Sequence, residues 1–175
     1  MKKLIVLFPG AGYGLDSPLL YYADFVFETK GYDRVHMNYQ SILSNTELSL
    51  EEKLAKVREY VLEQVNDVDF TSYDEIIFLS KSIGSVEAGM LAEKLGVRVI
   101  QIFLTPVEEA ISYCNIDSYV VIGTKDKAFP RYKEYCDTNK IKVLYVKDAN
   151  HSLEVEGQPY ESIDILKTVM QFIER

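Results

Sequence analysis

The chain has 175 residues, of which 47% are hydrophobic and 26% are charged. This length lies in the ordinary range for one domain, and the apolar content can fill a sizeable core, so we predict a single domain over residues 1–175. The net charge of −8 argues against a nucleic-acid partner, because phosphate contacts depend on clustered Lys and Arg that this sequence lacks. No apolar run approaches the roughly 18 residues that cross a membrane, so we expect no membrane partner.

Cysteine content and the start of the chain favour a cytoplasmic setting. Cys114 and Cys136 are too few for a disulfide framework, and neither has a histidine at metal-ligand spacing, so the sequence implies no metal. The first residues imitate a signal peptide, but their apolar core covers only residues 4–8 and no cleavage site of small residues follows. We interpret residues 4–8 as a first strand.

Strand patterns alternate with helix patterns along the chain. The predicted strands cover residues 4–8, 34–39, 76–79, 97–104, 119–122 and 141–146. Predicted helices cover residues 17–30, 50–65, 85–95, 106–113 and 130–138. The helix over residues 50–65 follows a capping box at Ser49, and a final helix carries an apolar stripe over residues 160–173. Because parallel neighbours need crossover connections, this order predicts an α/β fold with a mostly parallel six-stranded sheet and helices on both faces.

The stretch from residue 74 to residue 95 contains a sharp turn between a strand and a helix. Residues 76–79 form an apolar run without alternation, which is typical of a strand covered on both faces. A strand that reverses into a helix within about four residues leaves its turn residue, here Ser82, strained and projecting above the sheet edge. Ser80 and Gly84 are small enough to make room for it. Alone, this pattern leaves open whether Ser82 caps the helix or acts as a nucleophile.

Two further loops carry groups that a nucleophilic serine needs. Ligands of open α/β sheets bind beyond the carboxyl ends of the strands, and Ser82, Asp126 and His151 follow three different strands. A hydroxyl is a poor nucleophile at neutral pH, so it needs an imidazole to accept its proton and a carboxylate to fix the imidazole tautomer. The sequence supplies all three groups in the order Ser, Asp, His.

Three motifs resemble the α/β-hydrolase superfamily: S-K-S-I-G around Ser82, G-T-K-D ending at Asp126, and N-H-S around His151. The resemblance covers nearly the whole chain and implies a small, lidless member, similar to dienelactone hydrolases or esterases, that lacks the family's first two strands. It implies Ser82 as the nucleophile, Asp126 as the orienting acid and His151 as the base, with no cofactor.

The loop after the first strand, F-P-G-A-G over residues 8–12, resembles the oxyanion loop of the same family. The resemblance implies that the backbone N–H groups of Ala11 and Ile83 hold the oxyanion. Two positions depart from the family pattern: Ser80 replaces the usual Gly of the elbow, and Pro9 stands where many members have His.

The predicted acid has competitors. Asp126 could be a turn residue, since Asp is common in turns. Glu108 and Glu109 are rival acids, although both suit the first turn of a helix that follows Pro106. Asp148 is a further rival because it lies close to His151 in sequence.

Other polar features have simpler interpretations. His36 lies within the second predicted strand, where a structural role is favoured. Lys81 could steer an anionic substrate, but a solvated elbow residue is the favoured interpretation. The glycine-rich loop over residues 10–14 lacks a complete dinucleotide fingerprint, because Leu15 stands where a third Gly is required.

Together these features predict a serine hydrolase that cleaves a small ester or thioester through an acyl-enzyme on Ser82; the alternative is a non-catalytic binding or scaffold protein with this fold. The expected partner is a small-molecule acyl substrate. The connection over residues 105–118 is too short for a crossover and a cap, so we predict an open groove lined by Tyr13, Ile83, Pro106 and Phe129. Such a groove favours short acyl groups, because methylene groups gain free energy only where they are buried.

Overall fold

The computed structural model describes residues 1–174 and contains one six-stranded sheet. Its strands are β1 (Lys3–Phe8), β2 (Asp33–His36), β3 (Glu75–Lys81), β4 (Ile100–Leu104), β5 (Tyr119–Gly123) and β6 (Lys142–Val146). The spatial order is β2-β1-β3-β4-β5-β6, and every neighbouring pair is parallel. The predicted α/β fold with a parallel six-stranded sheet is confirmed.

Helices cover both faces of this sheet. They are α1 (Pro18–Thr29), α2 (Gln40–Leu43), α3 (Leu50–Gln64), α4 (Gly84–Leu95), α5 (Phe129–Asn139) and α6 (Pro159–Ile173), with short 3₁₀ helices at Phe70–Ser72 and Glu108–Tyr113. Successive strand residues point to opposite faces. Ile77 and Leu79 therefore pack with α1 and α6, whereas Ile76 and Phe78 pack with α3 and α4. None of the helices within residues 1–174 has the length and apolar character that crossing a membrane requires.

Local signals explain where individual helices begin and end. The Ser49 hydroxyl accepts a hydrogen bond from the Glu52 N–H, and the Glu52 carboxylate accepts one from the Ser49 N–H, which together form the predicted capping box of α3. Helix α4 ends at Gly96, whose φ of 63° is left-handed and favours glycine. These signals determine where α3 begins and where α4 ends.

Two predicted strands were too long. The second strand ends at His36 because Tyr39 turns into the protein and donates a hydrogen bond to the Pro9 carbonyl at 2.8 Å. The fourth strand begins at Ile100 because pairing with β3 starts at Ile77↔Ile100, so residues 97–99 approach the sheet outside the ladder.

Two helix predictions also need correction. Residues 108–113 form a 3₁₀ helix instead of an α-helix, since the short connection from β4 to β5 leaves little room for regular turns. The apolar stripe of α6 is only partly covered: Met170 and Ile173 are buried, whereas Tyr160 and Ile163 are exposed.

Candidate active site

Ser82 sits in a strained turn between β3 and α4. Its φ is 54°, a left-handed conformation that is uncommon for residues other than glycine. The Ser82 N–H donates to the Leu104 carbonyl at 3.1 Å, and the Ser85 hydroxyl donates to the Ser82 carbonyl at 2.5 Å. Hydrogen bonds to β4 and to α4 therefore hold the turn on both sides.

The turn packs closely against the end of β1. A Cβ atom added to Gly84 would lie 2.6 Å from the carbonyl oxygens of Phe8 and Pro9, so a larger residue would collide with backbone. Ser80, the departure from the family pattern, is fully buried, and its hydroxyl donates to the Ile102 carbonyl at 3.4 Å. The site thus requires Gly84 and accommodates Ser80.

Three side chains from three strand-end loops meet above this turn. His151 Nε2 lies 2.8 Å from Ser82 Oγ, and His151 Nδ1 lies 2.6 Å from Asp126 Oδ2. When the imidazole carries its proton on Nδ1, it donates to the carboxylate and accepts from the serine hydroxyl. This arrangement can transfer a proton from Ser82 to His151.

Asp126 is the buried end of this chain of hydrogen bonds. Its side chain is 3% exposed, compared with 48% for His151. The second carboxylate oxygen accepts a hydrogen bond from the Ala128 N–H at 2.9 Å. Burial alone would raise the pKa of Asp126, but the hydrogen bonds from His151 and Ala128, with the charges of His151 and Lys81, outweigh it and hold that pKa below its usual value. Asp126 is therefore kept as a carboxylate.

The loop after β1 lies beside Ser82. A Cβ atom added to Gly10 would be 3.2 Å from Ser82 Cβ, and the Gly10 N–H donates to the Tyr13 carbonyl at 3.0 Å. Among residues 1–174, the N–H groups of Ala11 and Ile83 donate to no other protein group. Both amides are therefore available to an external acceptor, and their role in an oxyanion hole remains a prediction.

Solved structures of the same architecture include several hydrolases. A candidate α/β-superfamily hydrolase from Xanthomonas campestris superposes with a TM-score of 0.68 at 14% identity, covering 98% of this chain and 99% of that one. A protein of unknown function from Agrobacterium tumefaciens, described as a candidate α/β hydrolase, gives 0.70 at 16% identity, covering 99% and 84%. Dienelactone hydrolase from Anabaena variabilis gives 0.64 at 16% identity, covering 99% and 84%.

The chain has the α/β-hydrolase fold. No protein-family model matches the sequence, and no curated protein matches it either. At these identities the likeness concerns the fold. The α/β-hydrolase resemblance carried by the three sequence motifs is confirmed at that level.

In this α/β-hydrolase fold, the rival polar groups occupy other positions. Asp148 is exposed, has a φ of 57°, and its N–H donates to the Thr124 hydroxyl. Glu108 and Glu109 are exposed on the 3₁₀ helix after β4. His36 Nε2 lies 2.9 Å from Asp24 Oδ1 at the edge of the sheet. The carboxylate that contacts the imidazole of His151 is that of Asp126.

Two cavities flank the His151 loop, where the sequence predicted a single groove. One, of about 540 Å³, runs from Tyr13 between α1 and α6 along residues 152–159. The other, of about 630 Å³, is lined by Pro106 and His151 and by the charged side chains of Glu108, Glu109, Lys125, Asp126 and Lys127. The Asn150–His151 turn separates them, and Asn150 lines both.

The other predicted pocket residues lie elsewhere. Phe129 is outside both linings because its ring packs edge-on against Tyr145, with 5.6 Å between centroids. Ile83 lines neither cavity.

Lys81 differs most from its prediction. It is 1% exposed, so the solvated position expected from sequence is wrong. Strand alternation explains this, since Lys81 continues the face of Ile77 and Leu79 that α1 and α6 cover. Its Nζ donates to the His151 carbonyl at 2.9 Å and lies 4.9 Å from the centroid of the Tyr13 ring. The sequence pattern of β3 does not predict this burial, because the strand is buried on both faces and a lysine at its end could equally reach solvent.

Proposed function

We propose that the protein is a serine hydrolase that cleaves a small ester or thioester through an acyl-enzyme on Ser82. The observation that carries the proposal is the chain of contacts Ser82–His151–Asp126, with distances of 2.8 and 2.6 Å. The strained φ of Ser82 and the burial of Asp126 support it, because both are features of an activated nucleophile with an oriented base.

In the first half of the reaction, Ser82 Oγ attacks the substrate carbonyl carbon while His151 Nε2 takes the hydroxyl proton. The tetrahedral intermediate collapses when His151 donates that proton to the leaving alcohol or thiol, which leaves an acyl ester on Ser82. In the second half, His151 removes a proton from water, the resulting hydroxide attacks the ester, and His151 returns the proton to Ser82. Asp126 stabilises the imidazolium formed in each half.

The negative charge on the substrate oxygen needs donors that are already in place. The Ile83 N–H is available for this role at the first turn of α4, where the helix dipole favours negative charge. The Ala11 N–H is available from the loop that packs against Ser82 through Gly10. We assign these two amides to the oxyanion hole.

The substrate class follows from the triad and the shape of the site. The dienelactone hydrolase with the same fold is named for a lactone, which is an ester, and this favours ester or thioester cleavage. No separate cap lies between β4 and β5, because the residues between them are used by a 3₁₀ helix and the crossover itself. A small acyl substrate suits a site of this kind.

A serine-reactive fluorophosphonate probe tests the proposal. We expect the wild-type protein to be labelled on Ser82, and Ser82→Ala to remain folded, to escape labelling and to lose about a million-fold in kcat towards p-nitrophenyl acetate. Ser44→Ala is a matched control, since Ser44 is exposed at the C-cap of α2. Hydrolysis by folded Ser82→Ala would refute the nucleophile assignment, and a wild type that neither labels nor turns over esters would favour a non-catalytic scaffold.

A further inference from the structure

Lys81 places a buried ammonium against the loop that carries His151. In the mechanism above this group has no role. Its Nζ donates to the His151 carbonyl at 2.9 Å, and on its other side lies the ring of Tyr13 at 4.9 Å. The Tyr13 hydroxyl in turn accepts a hydrogen bond from the Leu19 N–H at 3.1 Å, so the ring is fixed by α1. Lys81 therefore connects the nucleophile strand to the base loop and to the oxyanion loop.

Burying this ammonium costs free energy of solvation. Lysine is almost never fully buried unless it is paired, because its charge must leave water. Lys125 and Lys127 belong to the neighbouring acid loop and remain exposed. A lysine placed directly before the nucleophile, 1% exposed and aimed at the base loop, is a feature that stability alone would not favour.

The charged and titratable groups around Lys81 come from several loops. Asp126 attracts its charge, and the charge of Lys81 contributes in return to the low pKa of Asp126. The backbone carbonyl of His151 accepts the hydrogen bond from Lys81, and the ring of Tyr13 faces the ammonium. The Glu154 carboxylate acts electrostatically on the Tyr13 hydroxyl. The carboxylate of Asp126 is thus a formal counter-charge that acts on this ammonium.

We propose that Lys81 is a positioning residue for His151: its ammonium fixes the backbone of the base loop through the His151 carbonyl and thereby aims the imidazole at Ser82. The inference rests on the proposed serine-hydrolase function and adds a residue that positions the base of the same site. The protonated form of Lys81 is the competent one, and its loss of a proton releases the His151 carbonyl from a charged donor.

This role makes the site sensitive to alkaline pH. Burial lowers the pKa of Lys81 from its ordinary value of 10.5 to about 8, and the charge of Asp126 opposes this shift only in part. Lys81 is therefore charged at neutral pH and becomes neutral as the pH rises through about 8. Activity should decline over the same interval.

Steady-state kinetics from about pH 6 to about pH 10 test the proposal with p-nitrophenyl acetate. We expect Lys81→Met to lower kcat about 10- to 100-fold with little change in KM, in line with the worth of a hydrogen bond from a charged group. Wild type should lose kcat above about pH 8, whereas Lys81→Arg, which stays charged, should lack this alkaline decline. Lys147→Met is the control, because Lys147 is an exposed lysine on the same loop as His151.

A proton NMR experiment reads the same positioning without any substrate. The His151 Nδ1 proton that bridges to Asp126 should give a strongly downfield resonance in wild type and in Lys147→Met at neutral pH. We expect the resonance to be lost in Lys81→Met and, in wild type, to disappear as the pH passes about 8. The wild-type titration supplies this test even if Lys81→Met does not fold.

The outcomes separate the two proposals. Wild-type kcat and an unchanged downfield resonance in Lys81→Met would overturn the positioning role while Ser82 labelling still supports a hydrolase. If the wild-type protein is not labelled, the proposed function is refuted. The downfield resonance of the His151 Nδ1 proton then tests the positioning role alone, and its persistence above about pH 9 in wild type would contradict that role.

Discussion

Asp126 combines burial with two hydrogen bonds on its carboxylate, one from His151 and one from the Ala128 N–H. The second bond fixes the carboxylate plane from the N-cap of α5, at the end of the acid loop, so the oxygen that faces the imidazole cannot rotate away. The low pKa of Asp126 keeps this oxygen ionised as an acceptor for the imidazole N–H. In the proposed reaction, its role is to select the imidazole tautomer.

We therefore predict that Asp126→Asn lowers kcat by about four orders of magnitude, the size of the loss that the same change causes in a serine protease by mis-setting the imidazole tautomer. Asp148→Asn is the matched control, because it makes the same change at an exposed carboxylate close to His151, and it should alter kcat only a few-fold. The measurement is ester turnover at neutral pH. If Asp148→Asn were the crippling variant, the acid would have to be reassigned to Asp148.

Lys81 links stability to pH in the opposite direction from a lysine whose pKa is raised by a salt bridge. Its pKa is about 8 in the folded protein and close to the ordinary 10.5 in the unfolded chain. Below about pH 8 both states carry the proton, and the folded state bears the full cost of a buried charge. Between about 8 and 10.5 the unfolded chain binds more protons, so this contribution to stability rises with pH.

Lys81→Met removes the buried charge and keeps a side chain of similar length. We expect it to raise the free energy of unfolding at neutral pH by about 1–3 kcal/mol and to abolish the alkaline rise due to this residue. Urea unfolding at neutral pH and near pH 10 measures both effects. A variant that is more stable and less active would fit a positioning role, whereas a less stable Lys81→Met would indicate that the lysine mainly supports the fold.

The turn from β3 to α4 is the element on which the site depends. It must begin a helix directly against the end of β1, and the carbonyls of Phe8 and Pro9 leave no space for a Cβ at Gly84. The same close approach brings the Gly10 region next to Ser82, so the proposed nucleophile and the proposed oxyanion loop are placed by one contact. A change in this contact should affect stability and chemistry together.

Gly84→Ala tests this contact. Ala is normally the better helix former by about 1 kcal/mol, but here its Cβ would lie 2.6 Å from two backbone oxygens. We expect the free energy of unfolding to fall by about 1–3 kcal/mol, with a reduced kcat as the turn shifts. Gly12→Ala is the control for stability, because a Cβ there meets nothing within 4 Å. Equal free energies of unfolding for the two variants would show that the backbone around residue 84 can shift to accept a Cβ without loss of stability.

At the scale of the whole molecule, the parallel sheet determines where the site can form. All six strands point their carboxyl ends to one edge, so the loops after β1, β3, β5 and β6 meet there although they are distant in sequence. The crossover after β4 contains a 3₁₀ helix and adds no cap over this edge. The two cavities beside His151 are therefore formed by strand-end loops, by the 3₁₀ helix after β4 and by residues of α1 and α6.

Chain-length specificity follows from this architecture. We predict that kcat/KM for p-nitrophenyl esters is highest for short acyl chains and does not rise from acetate towards palmitate, because each methylene gains about 0.8 kcal/mol only when it is buried. A lipid interface should not activate the protein. A specificity that climbs steadily to the longest chain would show that the cavity between α1 and α6 buries the acyl group.

Much of this organisation is already present in the sequence. Continuous apolar runs and capping signals predicted the α/β order, and the placement of Ser82, Asp126 and His151 after three strands predicted which side chains would meet. These inferences succeed because burial and backbone hydrogen bonding act over short stretches, so a local pattern carries them. The bounds of β2 and β4 were predicted less well, since strand ends depend on the register of a neighbour.

Only the tertiary structure decided the surroundings of that site. The burial of Lys81 against the His151 carbonyl, the anchoring of Pro9 by Tyr39 and the division of one expected groove into two cavities all join segments far apart in the chain. Such contacts leave no periodic signal, because each depends on the distance between two loops after the sheet has formed. The sequence by itself determined the chemical groups and their order, and packing determined which polar group is buried and what it holds in place.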